Sequence, residues 1–343
     1  MSIDHGWQPD ILGDGYQQQV LELGADPDGE GLVAAVLVRR EPPAGFPVHG
    51  AALYLHGFSD YFFQMALADF LAQRGLAFYA LDLRKSGRAL RPGQTAHYVS
   101  DLALYDSELD RALAIVAGAH PGRPVVLVAH STGGLIAPLW LDRQRAAGRT
   151  TPVAGAVLNS PWFDLQGTAA QRGALTQALR LLARARPLVA LKTPPSTYGA
   201  TLHVSGTGEW DFDTALKPLD GFPVTAGWLN AVRRGHARLH RGLDIGVPSL
   251  VLRSGQSHFS GEYSPLSDRA DTVLDVTQIA RWAGSLGGET TVVPVDGARH
   301  DVFLSLAEPR EHAYAALDGW LARQQLAPAS GPDTPAAPRQ ETR

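Results

Sequence analysis

Apolar positions along this chain switch between short unbroken runs and helical spacing, and the switching is regular on both sides of one interruption. Tyr16 to Leu23 and Leu32 to Arg39 read as two strands joined by a turn rich in Asp and Gly, GADPDGEG, a hairpin pattern. A Pro/Gly loop from Glu41 to Gly50 leads into a short buried strand, Ala51 to Leu55, that ends in His56-Gly57-Phe58. From Tyr61 the positions Phe63, Ala66, Leu67, Phe70 and Leu71 follow a helical period, stopped by Gly75. Leu76 to Leu83 is a strand. Leu102, Tyr105, Leu109, Ala112, Leu113 and Val116 mark a second helix, closed by Gly118 and Pro121. Val125 to Ala129 is apolar throughout, which suits a strand buried on both faces of a parallel sheet. A helix to about Gly148 and a strand from Val153 to Leu158 follow. Such alternation predicts a parallel sheet covered by helices on both faces.

The alternation breaks at Asn159-Ser160-Pro161. Residues 162–243 carry helical patterns without convincing strands: Leu175, Leu179 and Leu182 in one, Trp228, Val232 and Leu239 in another. A Pro/Gly/aromatic section with Trp210, Phe212 and Phe222 lies between them. This segment reads as an inserted cap, with 1–161 and 244–326 as the core it interrupts. The core resumes with strand Ser249 to Leu252, helix Val273 to Leu286, strand Thr291 to Val295 and helix Arg310 to Gln325. Residues 327–343 are rich in Pro, Ala and Ser and read as a disordered tail.

Composition narrows the class. The 343 residues are 45% hydrophobic and 19% charged, enough for a large core. A net charge of −4 gives no electrostatic reason to expect nucleic acid. With no cysteine there is no disulfide, thiolate metal site or cysteine nucleophile. The first residues lack a secretory signal pattern, and no apolar run approaches the ~20 residues that span a bilayer. The expectation is a soluble, cytoplasmic protein.

The candidate chemistry centres on Ala129-His130-Ser131-Thr132-Gly133, between the apolar strand and the helix after it. A serine flanked by small residues at a strand-to-helix turn is a nucleophile elbow. Small residues are needed two before and two after because strand and helix cross closely there, and Ala129 stands where the first glycine is usual. A serine hydroxyl needs a histidine to take its proton and a carboxylate to orient that histidine. His300, in Asp296-Gly297-Ala298-Arg299-His300 directly after the last strand, is the histidine candidate. His130 adjoins the serine, but its side chain is expected to point away. His236 and His240 have i, i+4 spacing but no H-E-x-x-H glutamate, so they read as a solvated cap helix.

For the carboxylate, the loop after strand Ser249 to Leu252 offers Glu262, Asp268, Asp271 and Asp275. Asp271 immediately precedes the predicted helix and could also cap it. Asp275 falls inside that helix, about 200° round from Val273 at ~3.6 residues per turn, so Asp271 is favoured. The Thr132 backbone N–H and that of Phe58, after His56-Gly57, are the candidate oxyanion donors.

These pieces carry a resemblance: YLHGFSDY (Tyr54 to Tyr61), LDLRKSGRA (Leu81 to Ala89), AHSTGG (Ala129 to Gly134), RADTVLD (Arg269 to Asp275) and GARHD (Gly297 to Asp301). Together they resemble the α/β-hydrolases, and within them the lysophospholipase and monoacylglycerol lipase group of capped serine hydrolases. The resemblance covers residues 50–325. It implies a mostly parallel eight-stranded sheet with helices on both faces and an inserted helical cap. It also implies a Ser131, Asp271, His300 triad, with the first Asp of D-x-x-x-D as the acid. The implied activity is hydrolysis of a carboxylic ester with one acyl chain, a small-molecule ester or lipid substrate, with no cofactor or metal. Trp162, Trp210, Phe212 and Trp228 are the candidates to line an acyl pocket, although plain cap core is the favoured role of each. A capped aminopeptidase, using Glu209, Asp211 or Asp213 to hold an amine, is the second reading. A non-catalytic binding protein on the same scaffold is the third. Oligomeric state stays open.

Overall fold

The structure is a computed structural model that describes residues 6–40, 45, 47–193 and 196–327. The tail expected from 327 onward lies outside the described residues beyond Ala327. Nine strands form one sheet among the described residues: β1 (Gln8–Pro9), β2 (Tyr16–Ala25), β3 (Leu32–Arg40), β4 (Gly50–Leu55), β5 (Leu76–Asp82), β6 (Val125–His130), β7 (Val153–Asn159), β8 (Ser249–Ser254) and β9 (Thr290–Val295). Their order is β1-β2-β3-β5-β4-β6-β7-β8-β9. The expected eight strands are β2 to β9; the ninth is the two-residue β1, too short to leave a pattern. The pairs from β1 to β3, and β3 with β5, are antiparallel; all pairs from β5 to β9 are parallel.

Burial on both faces explains the unbroken apolar runs. In β6, Val125, Leu127 and Ala129 enter one core while Val126 and Val128 enter the other. The first core is covered by α2 (Asp106–Ala119) and α3 (Gly133–Ala146), the second by α1 (Met65–Ala72) and α8 (Ala307–Arg323). The helix expected from Tyr61 begins only at Met65, because Tyr61 and Phe63 turn instead into a small cluster with Leu202, Trp210, Phe212 and Leu304. Between β7 and β8 lie α4 (Ala169–Ala185), α5 (Tyr198–Leu202) and α6 (Ala226–Leu239). Among the described residues only isolated bridges, such as His203 with Trp210, interrupt this helical segment.

The strand order positions the site. From central β4 the chain steps outward to β5, then returns to β6 on β4's other side. Such a reversal leaves a crevice at the carboxyl ends of the two strands. The loops after β4 and β6, which carry Phe58 and Ser131, meet there.

The hairpin tip is tied to the loop after β5 by a buried ion cluster. Lys85, at φ 59°, places its ammonium 2.5 Å from Asp26 and 2.8 Å from Glu30. Burial is the largest single influence and would raise the titration of both acids, but the lysine's hydrogen bonds and charge, together with backbone N–H donors and, for Glu30, the Thr95 hydroxyl, hold both below the usual carboxylate range. A depressed folded-state value stabilises the fold above the ordinary carboxylate pKa, and that stability is lost as pH falls through the depressed one. We expect Lys85→Met to cost about 3 kcal/mol, since it strands a buried and a half-buried carboxylate, and Lys85→Met with Asp26→Asn and Glu30→Gln to recover most of it. Urea unfolding at neutral pH checks both; equal losses in the single and triple variants would refute the account.

Candidate active site

β6 delivers the chain to Ser131 and α3 takes it away. Ser131 sits at φ 52°, in the left-handed region, which costs a residue with a side chain on the order of 1–2 kcal/mol. Two backbone hydrogen bonds hold it there. The Ser131 N–H donates to the Asn159 carbonyl and its own carbonyl accepts from the Trp162 N–H, each at 3.0 Å. The elbow crosses the loop after β4 so closely that a Cβ on Gly133 would fall 2.5 Å from the His56 carbonyl oxygen. Ala129 is fully buried, its methyl accommodated where glycine is usual.

His300 Nε2 lies 3.0 Å from Ser131 Oγ, and its Nδ1 lies 2.9 Å from Asp271 Oδ2. An ionised carboxylate only accepts, so Nδ1 carries the hydrogen and Nε2 offers its lone pair to the serine hydroxyl. All three side chains are buried. The other Asp271 oxygen accepts from the Val273 and Leu274 N–H groups, at 2.8 and 2.7 Å, which fixes the carboxylate plane.

This turn corrects the expected helix start. The helix α7 (Val276–Ala283) begins after Asp275, whose carboxylate caps it by accepting from the Thr277 N–H at 3.0 Å. Asp275 is therefore the cap, not an interior residue, and Asp271 caps the turn ahead of it. The two aspartates divide the roles that the sequence left to one.

His56 sets the other wall. The Leu83 N–H donates to His56 Nε2 at 3.0 Å, so Nδ1 carries the hydrogen and donates to the Gly57 carbonyl at 2.7 Å. In a trans peptide the N–H points opposite to the carbonyl, so pinning the Gly57 oxygen also aims the Phe58 N–H. No backbone carbonyl among the described residues accepts from the Phe58 or the Thr132 N–H. Gly57 has no room for a side chain, since a Cβ would lie 2.9 Å from that of Ser131.

His130 bonds to the Asn159 carbonyl and not to Ser131, and its ring packs 4.8 Å from that of His300. Burial lowers its pKa to about 4, although Asp301 pulls the other way. A neutral His130 adds no positive charge beside His300. Asp301 accepts from Asn159 and Gln64 side chains, each at 2.6 Å, and so cross-ties the ends of β7 and β9 to the loop before α1. Its place directly after His300 was a signal that the sequence reading left unused.

The inserted segment contributes two residues that no motif announced. The Tyr198 ring stands edge-on, 5.3 Å from that of His300. Burial, with Asp301, Asp60 and Asp271 nearby, pushes its hydroxyl's pKa well above the usual value, so it stays protonated. Lys217 reaches down to Asp60, two residues after Phe58, at 2.7 Å. Burial is the largest influence and would raise Asp60, but the Lys217 charge leads a group of smaller contributions that together hold it below the usual carboxylate range.

The four candidate pocket aromatics separate. Trp162 and Trp228 join Phe58 in one run, with ring centroids 5.8 and 4.1 Å apart in turn. Trp210 and Phe212 instead pack with Tyr61, Phe63 and Leu304, and the Trp210 indole N–H donates to the Leu304 carbonyl at 2.9 Å. His236 and His240 are not solvated. They bond to the Trp162 and Phe163 carbonyls at 2.9 and 2.8 Å, and His240 stacks on Trp282. Among the described residues no cluster could hold a metal ion.

A parallel sheet with an elbow serine at its reversal point, and a histidine and a carboxylate bonded behind it, defines a hydrolase of the α/β-hydrolase fold. Residues 47–304 match the family described as serine aminopeptidase, S33 (Hydrolase_4), and the chain belongs to that family. Its structure is similar to a soluble variant of monoglyceride lipase from Saccharomyces cerevisiae, at 16% identity and a TM-score of 0.60 over 93% of this chain and 95% of that one. It is similar also to a monoacylglycerol lipase from Paleococcus ferrophilus, at 20% identity and 0.59 over 82% and 96%. An esterase from Exiguobacterium antarcticum matches at 14% identity and 0.53 over 88% and 99%. No curated protein matches the sequence. Among the described residues no helix is long and apolar enough to cross a membrane.

The Gly57 contact generates a test of the wall. Gly57→Ala must push Ser131 or the loop aside, and a misplacement approaching 1 Å costs about a hundredfold in rate. We expect kcat to fall by roughly that much with little change in thermal unfolding; an unchanged kcat would show that the loop yields freely.

Proposed function

We propose that the chain is a serine carboxylic-ester hydrolase acting on esters of a single acyl chain, of the monoacylglycerol or lysophospholipid type. The observation that carries the reading is the continuous hydrogen-bonded path from Ser131 through His300 to Asp271. In the proposed reaction Ser131 Oγ attacks the ester carbonyl and His300 Nε2 takes its proton. The Phe58 and Thr132 amides stabilise the oxyanion. The ester C–O bond then breaks and His300 returns the proton to the leaving alcohol. Water, deprotonated by His300, attacks the acyl-enzyme and releases the acid. Asp271 holds the productive tautomer and stabilises the imidazolium, which a neutral His130 does not oppose.

Two observations favour an acyl ester over a peptide. The Trp162–Trp228–Phe58 run borders the elbow and offers apolar surface to a hydrocarbon chain. An aminopeptidase needs a carboxylate free to bind the substrate ammonium, and the nearby buried acids are engaged: Asp60 with Lys217, Asp271 with His300, and Asp301 with Asn159 and Gln64. Of the acids first considered for that role, Glu209 pairs with Arg310, Asp211 is exposed, and Asp213 caps the Ala215 N–H. The family description keeps an aminopeptidase as the second reading. The monoglyceride lipases among the similar structures favour the ester.

A panel of acyl esters and aminoacyl anilides, on the parent and on Ser131→Ala, tests the proposal. Ser131→Ala and His300→Ala should each lower kcat by roughly 10⁴–10⁶ with the fold intact. Asp271→Asn should cost on the order of 10⁴, and Asp275→Asn less than about tenfold, since only the first bonds to His300. Substantial ester turnover by Ser131→Ala would sink the nucleophile assignment.

Chain length gives a second check. Each CH₂ buried in an apolar pocket is worth roughly 0.8 kcal/mol, so kcat/KM should climb with acyl length until the pocket is full. A flat profile with strong anilide turnover would favour the peptidase.

A further inference from the structure

Thr132 stands at the N-cap of α3, a position where a threonine hydroxyl ordinarily accepts a backbone hydrogen bond. Here it accepts none. Its backbone is already helical, at φ −62° and ψ −34°, whereas a capping residue is extended. The residue is 3% exposed, and among the described residues Oγ1 has no hydrogen-bond partner. Leaving a buried hydroxyl unpaired costs stability, and a valine of nearly the same shape would avoid that cost. An orphan of this kind, on the residue directly after the nucleophile, calls for a partner that arrives during the reaction.

The backbone angle fixes where that hydroxyl can reach. At this φ the Cα–Cβ bond eclipses the residue's own N–H, so an oxygen bound by the N–H lies on the Cβ side. Standard bond lengths put such an oxygen about 3.5 Å from Cβ. Threonine in a helix uses two χ1 rotamers, and both hold Oγ1 gauche to the backbone nitrogen. Either one brings Oγ1 to about 3 Å from the same oxygen, within hydrogen-bond range. The N–H in question is the proposed oxyanion donor, and among the described residues no backbone carbonyl accepts from it.

We propose that the Thr132 hydroxyl is a third oxyanion donor, so that one residue meets the developing charge with both its N–H and its O–H. This role rests on the acyl-enzyme reading given above, and it serves an ester or an amide substrate alike. A planar carbonyl oxygen offers its lone pairs near its own plane, which suits the Phe58 and Thr132 amides. When Ser131 adds, the carbon becomes tetrahedral and its oxygen gains another lone pair and a full charge. Oγ1, set off to one side of the amide direction, is placed for that extra pair. The hydroxyl keeps its hydrogen throughout and only donates. Its contribution is therefore made in the transition state, and it acts on kcat more than on KM.

The test compares Thr132→Val and Thr132→Ser with the parent on a soluble short-chain p-nitrophenyl ester. Thr132→Val should lower kcat about a hundredfold, the scale of one lost oxyanion donor, with little change in KM. It should also unfold at a higher temperature than the parent, since it removes an unpaired buried hydroxyl. A merely structural threonine would move rate and stability the same way. Thr132→Ser keeps the donor and should recover most of the lost rate. Affinity for a short-chain alkyl trifluoromethyl ketone, whose adduct with Ser131 carries the oxyanion, should fall in Thr132→Val by the same factor as kcat. A Thr132→Val kcat close to the parent's would overturn the proposal. So would a rate loss that comes with a lower unfolding temperature, that Thr132→Ser does not recover, or that the ketone affinity does not track. Turnover that survives Ser131→Ala is the separate signature of a failed acyl-enzyme reading, and it removes the Thr132 role as well.

Discussion

A serine can stand clear at the end of a buried parallel strand only if its backbone leaves the ordinary allowed regions, and most of this structure follows from keeping it there. Ser131 is held at φ 52° by bonds to Asn159 and Trp162, at the end of β7 and just after it. Those bonds need β7 beside β6, and the close crossing needs Gly133 against the His56 carbonyl. The His56 ring is locked by Leu83 at the end of β5, so the loops after three strands define one another. Local strain of this size survives only where the surroundings over-determine it. Here both sheet faces are packed, and the strained turn has no softer element to relax into.

Behind the serine the same economy governs charge. Asp271 serves Val273 and Leu274 with one oxygen and His300 with the other, so the carboxylate cannot rotate out of line. Asp301 spans Asn159 and Gln64, which ties the loop holding His300 to β7 and to the start of α1. His130 lies against His300 yet stays neutral because burial opposes its protonation more strongly than Asp301 favours it. An imidazolium can therefore form at His300 without a like charge beside it.

What the sequence revealed divides along the range of the interaction. The elbow, the His56-Gly57-Phe58 turn and the Asp271 and His300 positions were legible because each is a local pattern at a strand end. The start of α7 was misplaced because Asp271 organises a turn over Val273 and Leu274 that imitates a helical cap. His236 and His240 read as solvated because their partners, the Trp162 and Phe163 carbonyls, are far away in sequence. Lys217 and Tyr198 lay in the segment with the weakest pattern, and nothing in their neighbours announces Asp60 or His300. Trp210 and Phe212 were pocket candidates because aromatic content alone cannot tell a lining from a staple.

That staple bears on how the inserted segment relates to the chemistry. Trp210 bonds to Leu304, the Asp213 N–H to the Tyr61 hydroxyl at 2.8 Å, the Phe222 N–H to Ser59 at 2.9 Å, and Lys217 to Asp60. Three of these contacts land on Ser59, Asp60 and Tyr61, the residues that follow Phe58. The segment from Trp210 to Phe222 is thus fastened to the loop that carries Phe58, the proposed second oxyanion donor. A buried ion pair adds little net stability over an apolar pair, but breaking it strands a charge, which makes Asp60–Lys217 better suited to fixing a geometry than to strengthening the fold. By contrast α4, at the other end of the insertion, meets the rest mainly through α6 and keeps its leucines outside. One half of the insertion is thus fastened beside the loop after β4, while the other is joined to the rest chiefly through α6.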